Sequence, residues 1–227
     1  MTERETPSVD GLVIGILGGT GDQGRGLARR FALAGHQVII GSRSPERAAA
    51  AAQEIGHGVQ GLANADAARS ASVIIAAVPW EGHGDLLSAL AGELAGKIVV
   101  DCVNPLGFDQ RGAYALPVAE GGPAEGSAAQ QAAALLPGSR VVAAFHHVSA
   151  VLLLDPEVDT IDLDVLVLGD DREATDTVQA LAAVIPGMRG IYSGRLRNAR
   201  QVEALTANLI SINRRYKAHA GLRVTDV

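Results

Sequence analysis

The chain has 227 residues, 48% hydrophobic and 19% charged, which is a globular composition long enough for one large domain or a domain with a small appendage. A net charge of −6 and only 3% aromatic residues exclude the basic footprint and the stacking platform that nucleic-acid binding needs. A single cysteine, Cys102, excludes an internal disulfide and a thiolate metal cluster, and fits a reducing compartment.

In chain order, the polar N-terminus MTERETPSVD lacks the apolar segment of a signal peptide. No apolar run approaches the roughly 20 residues of a membrane span, so a soluble, cytoplasmic protein is expected. Residues 12–17 (LVIGIL) read as a buried strand, and 24–34, with Leu27, Phe31 and Ala34 at helical spacing, as a helix. HQVIIGS from His36 is a second strand. SPERAAAAAQEIG is a helix with Ser44 at the N-cap, Pro45 in the first turn and Gly56 at its end. SVIIAAVPW is a third strand, GDLLSALAGELAG a third helix and KIVVDCVNP a fourth strand. EGGPAEGS, residues 120–127, is a flexible loop; SAAQQAAALLPG is a helix and SRVVAAFHHVS a fifth strand.

Continuous apolar strands alternating with helices predict a parallel, doubly wound sheet of the Rossmann type. The pattern changes after Ala150. DTIDLDVLVLGDD alternates apolar residues with aspartates and reads as a half-exposed strand, possible at the sheet edge. REATDTVQALAAVI is a helix ending at Pro-Gly. A last helix spans about 198–219, with Val202, Leu205, Leu209, Ile212 and Tyr216 on one stripe, either domain core or a dimer seam. The expected division is a nucleotide-binding domain over 1–152 and a small, helix-rich C-terminal domain over 153–227.

The stretch ILGGTGDQG leaves the first strand and opens the first helix. Gly19, Gly21 and Gly24 satisfy G-x-G-x-x-G, and Gly18, Gly21 and Gly24 a G-x-x-G-x-x-G variant. Glycine there lets the backbone approach a pyrophosphate, and the helix N-terminus offers free N–H groups to it. Thr20, Asp22 and Gln23 line the loop. An NAD site places a carboxylate at the end of the second strand; here Gly41, Ser42 and Arg43 stand there, with Arg47 a turn later. A hydroxyl and two guanidiniums suit a 2′-phosphate, so the nucleotide expected is NADP(H).

With GGTGDQG, GSRSPER, VPW and NARQVEALT in this order, the chain resembles the NADPH-dependent F420 reductases over nearly its whole length, from Val13 to about Val224. The resemblance implies a Rossmann domain with a small C-terminal domain, and a hydride moved between NADP(H) and coenzyme F420, an 8-hydroxy-5-deazaflavin. It implies NADP contacts at Thr20, Gly21, Asp22, Gln23, Ser42, Arg43 and Arg47, then at Trp80 and Gly84. His146, Val148 and Ala150 would lie near the paired rings, with His146 and Val148 as the catalytic pair. Arg200 and Thr206 would lie near the deazaflavin, and the enzyme would be a homodimer. Two departures matter: Ala204 replaces a family serine, and His147-Val148-Ser149 replaces a threonine–isoleucine–proline segment.

Direct hydride transfer needs no covalent nucleophile and no metal; the protein must stack two rings and exclude water. Val78, Pro79 and Trp80 end the third strand, where open parallel sheets bind ligands; Trp80 reads equally as a wall of the site or as core. His146 and His147 are adjacent on the expected fifth strand and would face opposite ways, which argues against a shared metal; His146 could donate to a deazaflavin oxygen. Cys102 reads as a bystander, and Asp101 and Asn104 as loop contacts. Arg214, Arg215 and Lys217 either complement the last helix's C-terminus or attract the anionic tail of the deazaflavin. Two other readings remain: an imine reductase of the pyrroline-5-carboxylate reductase type, disfavoured by the short C-terminal part, and a non-catalytic NADPH sensor.

Overall fold

The run Val13–Leu17 forms strand β1 at the middle of the sheet, and every later element is placed by its distance from that strand. The structure, a computed structural model, describes residues 7–227, so residues 1–6 of the polar N-terminal stretch lie outside the described residues. In order, α1 (Asp22–Leu33), β2 (Gln37–Ser42), α2 (Pro45–Ile55), β3 (Gln60–Ala63), α3 (Asn64–Ser70), β4 (Val73–Ala76), α4 (His83–Ala89), α5 (Ala91–Leu94) and β5 (Ile98–Asp101) follow. A hairpin of β6 (Leu106–Asp109) and β7 (Gly112–Ala115) precedes α6 (Ala128–Leu135), β8 (Arg140–Ala143) and α7 (Ala150–Leu154). Then come β9 (Leu163–Gly169), α8 (Arg172–Ala183), β10 (Met188–Tyr192) and α9 (Ala199–Tyr216).

The main sheet runs β10-β9-β8-β5-β4-β1-β2-β3. From β8 to β3 all neighbours are parallel, in the doubly wound order with its reversal point between β1 and β4. β9 pairs antiparallel with β8, and β10 pairs parallel with β9, so the last two strands run against the rest. Residues 163–192 thus extend the same sheet.

Alternation along each strand feeds two apolar layers. Ile14, Ile16, Val73 and Ile75 pack with Leu27, Phe31, Leu153 and Val178, beneath α1, α7 and α8. Leu17, Ile74 and Ala76 pack with Ala67, Leu87, Ala132 and Val202, beneath α3, α4, α6 and α9. Both faces are therefore covered, which is why the central strands read as unbroken apolar runs. Local signals set the helix starts: the Ser44 Oγ accepts from the Arg47 N–H at 3.3 Å, and Pro45 occupies the first turn. Ser127 and Asp171 cap α6 and α8 in the same way.

Three local readings are corrected. The fifth strand stops at Ala143, and Phe145 has φ +63°, so His146 and His147 sit in a turn rather than on a strand with opposed faces. β9 is an inner strand between β8 and β10, and its Asp164 is fully enclosed, because that carboxylate is paired with arginines. The third helix breaks at Leu90 into α4 and α5. β3, α3, the β6–β7 hairpin and β10 carry too few apolar residues at regular spacing to stand out in sequence.

Candidate active site

At the reversal point, the carboxyl ends of β1, β2 and β4 frame a cavity of about 650 Å³. Its floor is the glycine loop. Gly18 has φ +71°, and a Cβ there would lie 2.4 Å from the Val78 Cγ1; a Cβ on Gly19 would lie 2.6 Å from the Ile40 Cβ. These glycines let the loop pack against its neighbours. Gly21 differs, because the nearest atom to a Cβ there would be 3.8 Å away. It stands on the cavity at the N-cap of α1, where no side chain caps the first turn.

Gly18, Thr20, Gly21, Ser42, Arg43 and Arg47 all border this cavity, as do Val78 and Pro79 from the end of β4. Ser42 is buried, its Oγ accepting from the Ser44 N–H at 3.3 Å. Arg43 and Arg47 are exposed at the rim and, among the described residues, neither forms an ion pair. The adjoining residues have other duties. Asp22 is exposed in the first turn of α1, and the Gln23 Nε2 donates to the Phe145 carbonyl at 3.2 Å. Trp80 and Gly84 border a neighbouring hollow of about 400 Å³ with Gly121 and Gln131. The Trp80 Nε1 donates to the Gly121 carbonyl at 2.8 Å, and its ring lies 5.5 Å from that of His83.

The other expected residues gather where the turn after β8 meets α9. The His146 carbonyl accepts from the Asn104 Nδ2 at 2.8 Å and from the Thr206 Oγ1 at 3.2 Å. Val148 is buried and Ala150 opens α7. Arg200 and Ala204 border a hollow of about 450 Å³ with Gly126 and Arg197. The His146 ring is enclosed, both its nitrogens lack hydrogen-bond partners among the described residues, and Nε2 lies 4.0 Å from the Glu203 Oε1. Burial holds its pKa down at about 4, and that of His147 likewise at about 4. Burial also pushes the Cys102 thiol up, in keeping with an inert cysteine.

Sequence reasoning missed a buried polar network beside these residues. The His83 Nε2 meets the Asp101 Oδ2 at 2.6 Å, and its Nδ1 meets the Gln131 Oε1 at 2.9 Å. Burial disfavours the imidazolium, but Asp101 and then Gln131 outweigh it, and the pKa is raised. Glu203 accepts from the Ala128 and Ala129 N–H groups at 3.0 and 3.2 Å, so α9 clips the N-terminus of α6. Burial outweighs those two hydrogen bonds and raises the Glu203 pKa to about 7. Asn64, at the start of α3, also borders the nucleotide-sized cavity. No sequence signal marked it, since β3 before it was not recognised.

A family described as NADP oxidoreductase, coenzyme F420-dependent, matches residues 13–105, the stretch from β1 past the end of β5. An F420-dependent NADP reductase of Methanothermobacter thermautotrophicus is 39% identical over 226 residues, covering 95% of this chain and 96% of that protein. The chain belongs to the F420-dependent NADP reductase family. A solved structure assigned to the same reductases, from Arthrobacter sp. FB24, superposes with a TM-score of 0.81 at 30% identity, over 95% of this chain and all of that one. A pyrroline carboxylate reductase of Plasmodium falciparum shares the fold alone, with a TM-score of 0.60 at 11% identity; this chain spans 66% of it. Membership in the reductase family thus extends through α9, well beyond the glycine loop.

Proposed function

We propose that this protein is an oxidoreductase that passes a hydride reversibly between NADP(H) and coenzyme F420. One observation carries the nucleotide half: a glycine loop, an uncapped helix N-terminus and the Ser42/Arg43/Arg47 trio border one cavity, and no carboxylate stands at the end of β2. Gly18, Gly19 and Gly21 would admit the pyrophosphate, with Thr20, Asp22 and Gln23 shaping the loop. Ser42, Arg43 and Arg47 would hold the 2′-phosphate by charge-assisted hydrogen bonds. Val78 and Pro79 would wall the nicotinamide end, while Trp80 and Gly84 fix the wall from behind.

The reacting cofactors supply the hydride chemistry between nicotinamide C4 and deazaflavin C5. The chain's part is to bind, orient and exclude water. Val148 and Ala150 would face the paired rings, and His146 would set that turn through its carbonyl, which Asn104 and Thr206 hold. Arg200 would face the deazaflavin, and residues 153–227 act as the smaller unit completing its site. A homodimer in the cytoplasm completes the reading; the exposed Ile212 and Tyr216 on the apolar stripe of α9 support the dimer.

The test is to mix the protein with NADPH and oxidised F420 and follow loss of deazaflavin absorbance. Rapid bleaching is expected. Nucleotide binding without turnover would point to a sensor, and reduction of cyclic imines instead would point to the other reductase class. In the same assay, Arg43→Ala and Arg47→Ala should each raise the KM for NADPH by about tenfold to a hundredfold, since a hydrogen bond to a charged group contributes roughly 1.5–3 kcal/mol. NADH use should barely change; equal effects on both nucleotides would refute the 2′-phosphate assignment.

A further inference from the structure

Asn64 is the one strongly buried polar side chain on the nucleotide cavity whose amide the fold leaves unused among the described residues. It borders the same cavity as Ser42, Arg43 and Arg47 and is only 9% exposed. Its Oδ1 is enclosed and accepts no hydrogen bond, and its Nδ2 donates none within the described residues. The enclosed Oδ1 has given up water without a replacement, at a cost to folding, and no hydrogen bond within the described residues uses the Nδ2.

The backbone explains how the side chain comes to be there. In the parallel register of β2 and β3, Ser42 lies opposite Ala63, so Asn64 projects one residue beyond the strand end, beside Arg43. Gly41 makes the space: a Cβ there would lie 2.7 Å from the Asn64 Oδ1 and 3.1 Å from its Cα. One end of the amide therefore rests against Gly41, and the other is left to the cavity. The position at which a carboxylate would bind an unphosphorylated ribose is thus emptied, and a neutral amide from the start of α3, just past β3, stands beside it.

We propose that Asn64 is a specificity-determining residue that donates a hydrogen bond to the ribose-bound phosphate of the dinucleotide, completing the anion site formed with Ser42, Arg43 and Arg47. The inference rests on the NADP(H) reading above. A neutral donor suits this place because it adds a hydrogen bond at the buried side of the phosphate without needing a solvated counter-charge there.

The test is binding, with no deazaflavin present: titrate NADPH and NADH, which differ only by that phosphate, following nicotinamide fluorescence. Asn64→Ala should weaken NADPH about tenfold and leave NADH within twofold. Asn64→Asp, which sets a carboxylate against the phosphate, should weaken NADPH at least a hundredfold and narrow or invert the preference. Asn64→Ser, which keeps a short donor, should recover part of the loss, and thermal midpoints near that of the unaltered protein would show that the variants fold. Equal weakening of both nucleotides in Asn64→Ala and Asn64→Asp would mean a contact to the shared adenosine or to the fold, and would overturn the inference. So would a preference for NADPH that none of the three substitutions diminishes. If the unaltered protein does not prefer NADPH over NADH, the NADP(H) reading itself fails, a result distinct from the other two.

Discussion

Glu203 is a carboxyl that two backbone N–H groups hold and burial still keeps partly protonated near neutrality. The linkage between its proton and folding can be worked out together with that of its neighbours. Folding raises Glu203 from an ordinary 4.5 to about 7, so between those values the native state gains a proton and stability falls as pH rises. His146 and His147 fall from an ordinary 6.5 to about 4, so in that window the native state lacks two protons that the unfolded chain holds, and stability rises with pH. The histidines win by one proton. His83, raised by Asp101 against the pull of burial, is protonated in both states below pH 6.5 and adds nothing there. Stability should therefore fall on acidification from pH 6.5 to 5, by about 1.4 kcal/mol per pH unit in mid-window. In Glu203→Gln the opposing proton is gone, and the slope should steepen to about 2.7 kcal/mol per pH unit. Urea titrations at pH 5 and 6.5 measure both; parallel slopes would show that Glu203 titrates elsewhere. At this scale the cavity's rim was legible, because glycines and arginines at fixed spacing carry a mechanism. His83, Glu203 and Asn64 were not, because a lone polar residue gives no hint in sequence that three elements will close over it.

Among elements, α7 cannot stand by itself. It has five residues, too few to hold a helix in water, and it follows directly from the His146 turn. Its last carbonyls and those of the segment after it are taken up by Arg30 of α1, which donates to Leu152, Leu153, Asp155 and Val158. Close approach of the two helices is allowed by Gly26, where a Cβ would lie 2.5 Å from the Leu153 Cβ. Arg30→Ala should cost roughly 3 kcal/mol by leaving buried carbonyls without donors, with Arg30→Lys recovering part of it. Hydrogen exchange at residues 153–155 should accelerate more than exchange in β1 and β4; uniform acceleration would mean that α7 does not open separately. Arg30 lies in a helix that the apolar spacing of Leu27 and Phe31 made legible, yet its partners are more than 120 residues away in sequence. The elements that were read correctly announced themselves by local rules: apolar runs, Ser44-Pro45 at a helix start, Gly56 at a helix end with φ +72°. Those that escaped, β3 with QGLA and the hairpin around Tyr114, owe their form to strand neighbours or to packing on α9.

For the whole molecule, the decisive contact is the one that ties the chain's end to its sheet. Asp164 on β9 accepts from the Arg189 Nε and Nη2 at 2.7 and 2.6 Å, from the Arg223 Nη1 at 2.8 Å and from the Val224 N–H at 2.6 Å. Arg189, on the edge strand β10, also donates to the carbonyls of Val224 and Val227, and the Asp164 N–H donates to Leu222. One carboxylate thus joins an inner strand, the outer strand and the segment beyond α9. In DLDVLV the alternation of aspartates with apolar residues had suggested a solvent face, whereas the terminal segment covers that face and the arginines replace the water. The partners are unequal: Asp164 is fully enclosed, while Arg189 and Arg223 keep 41% and 43% of their side chains exposed. Because Asp164 accepts four hydrogen bonds from three residues, whereas Arg223 supplies only one of them, the two sides of the pair should respond differently to substitution. Asp164→Ala, which strips two arginines and a backbone N–H of their acceptor, should cost about 3 kcal/mol. Arg223→Ala, with Arg189 still bidentate, should cost about 1 kcal/mol or less. Chemical denaturation of the two variants measures the difference. Equal losses would mean that the terminal segment lies loosely on the sheet and that β9 holds its carboxylate without it.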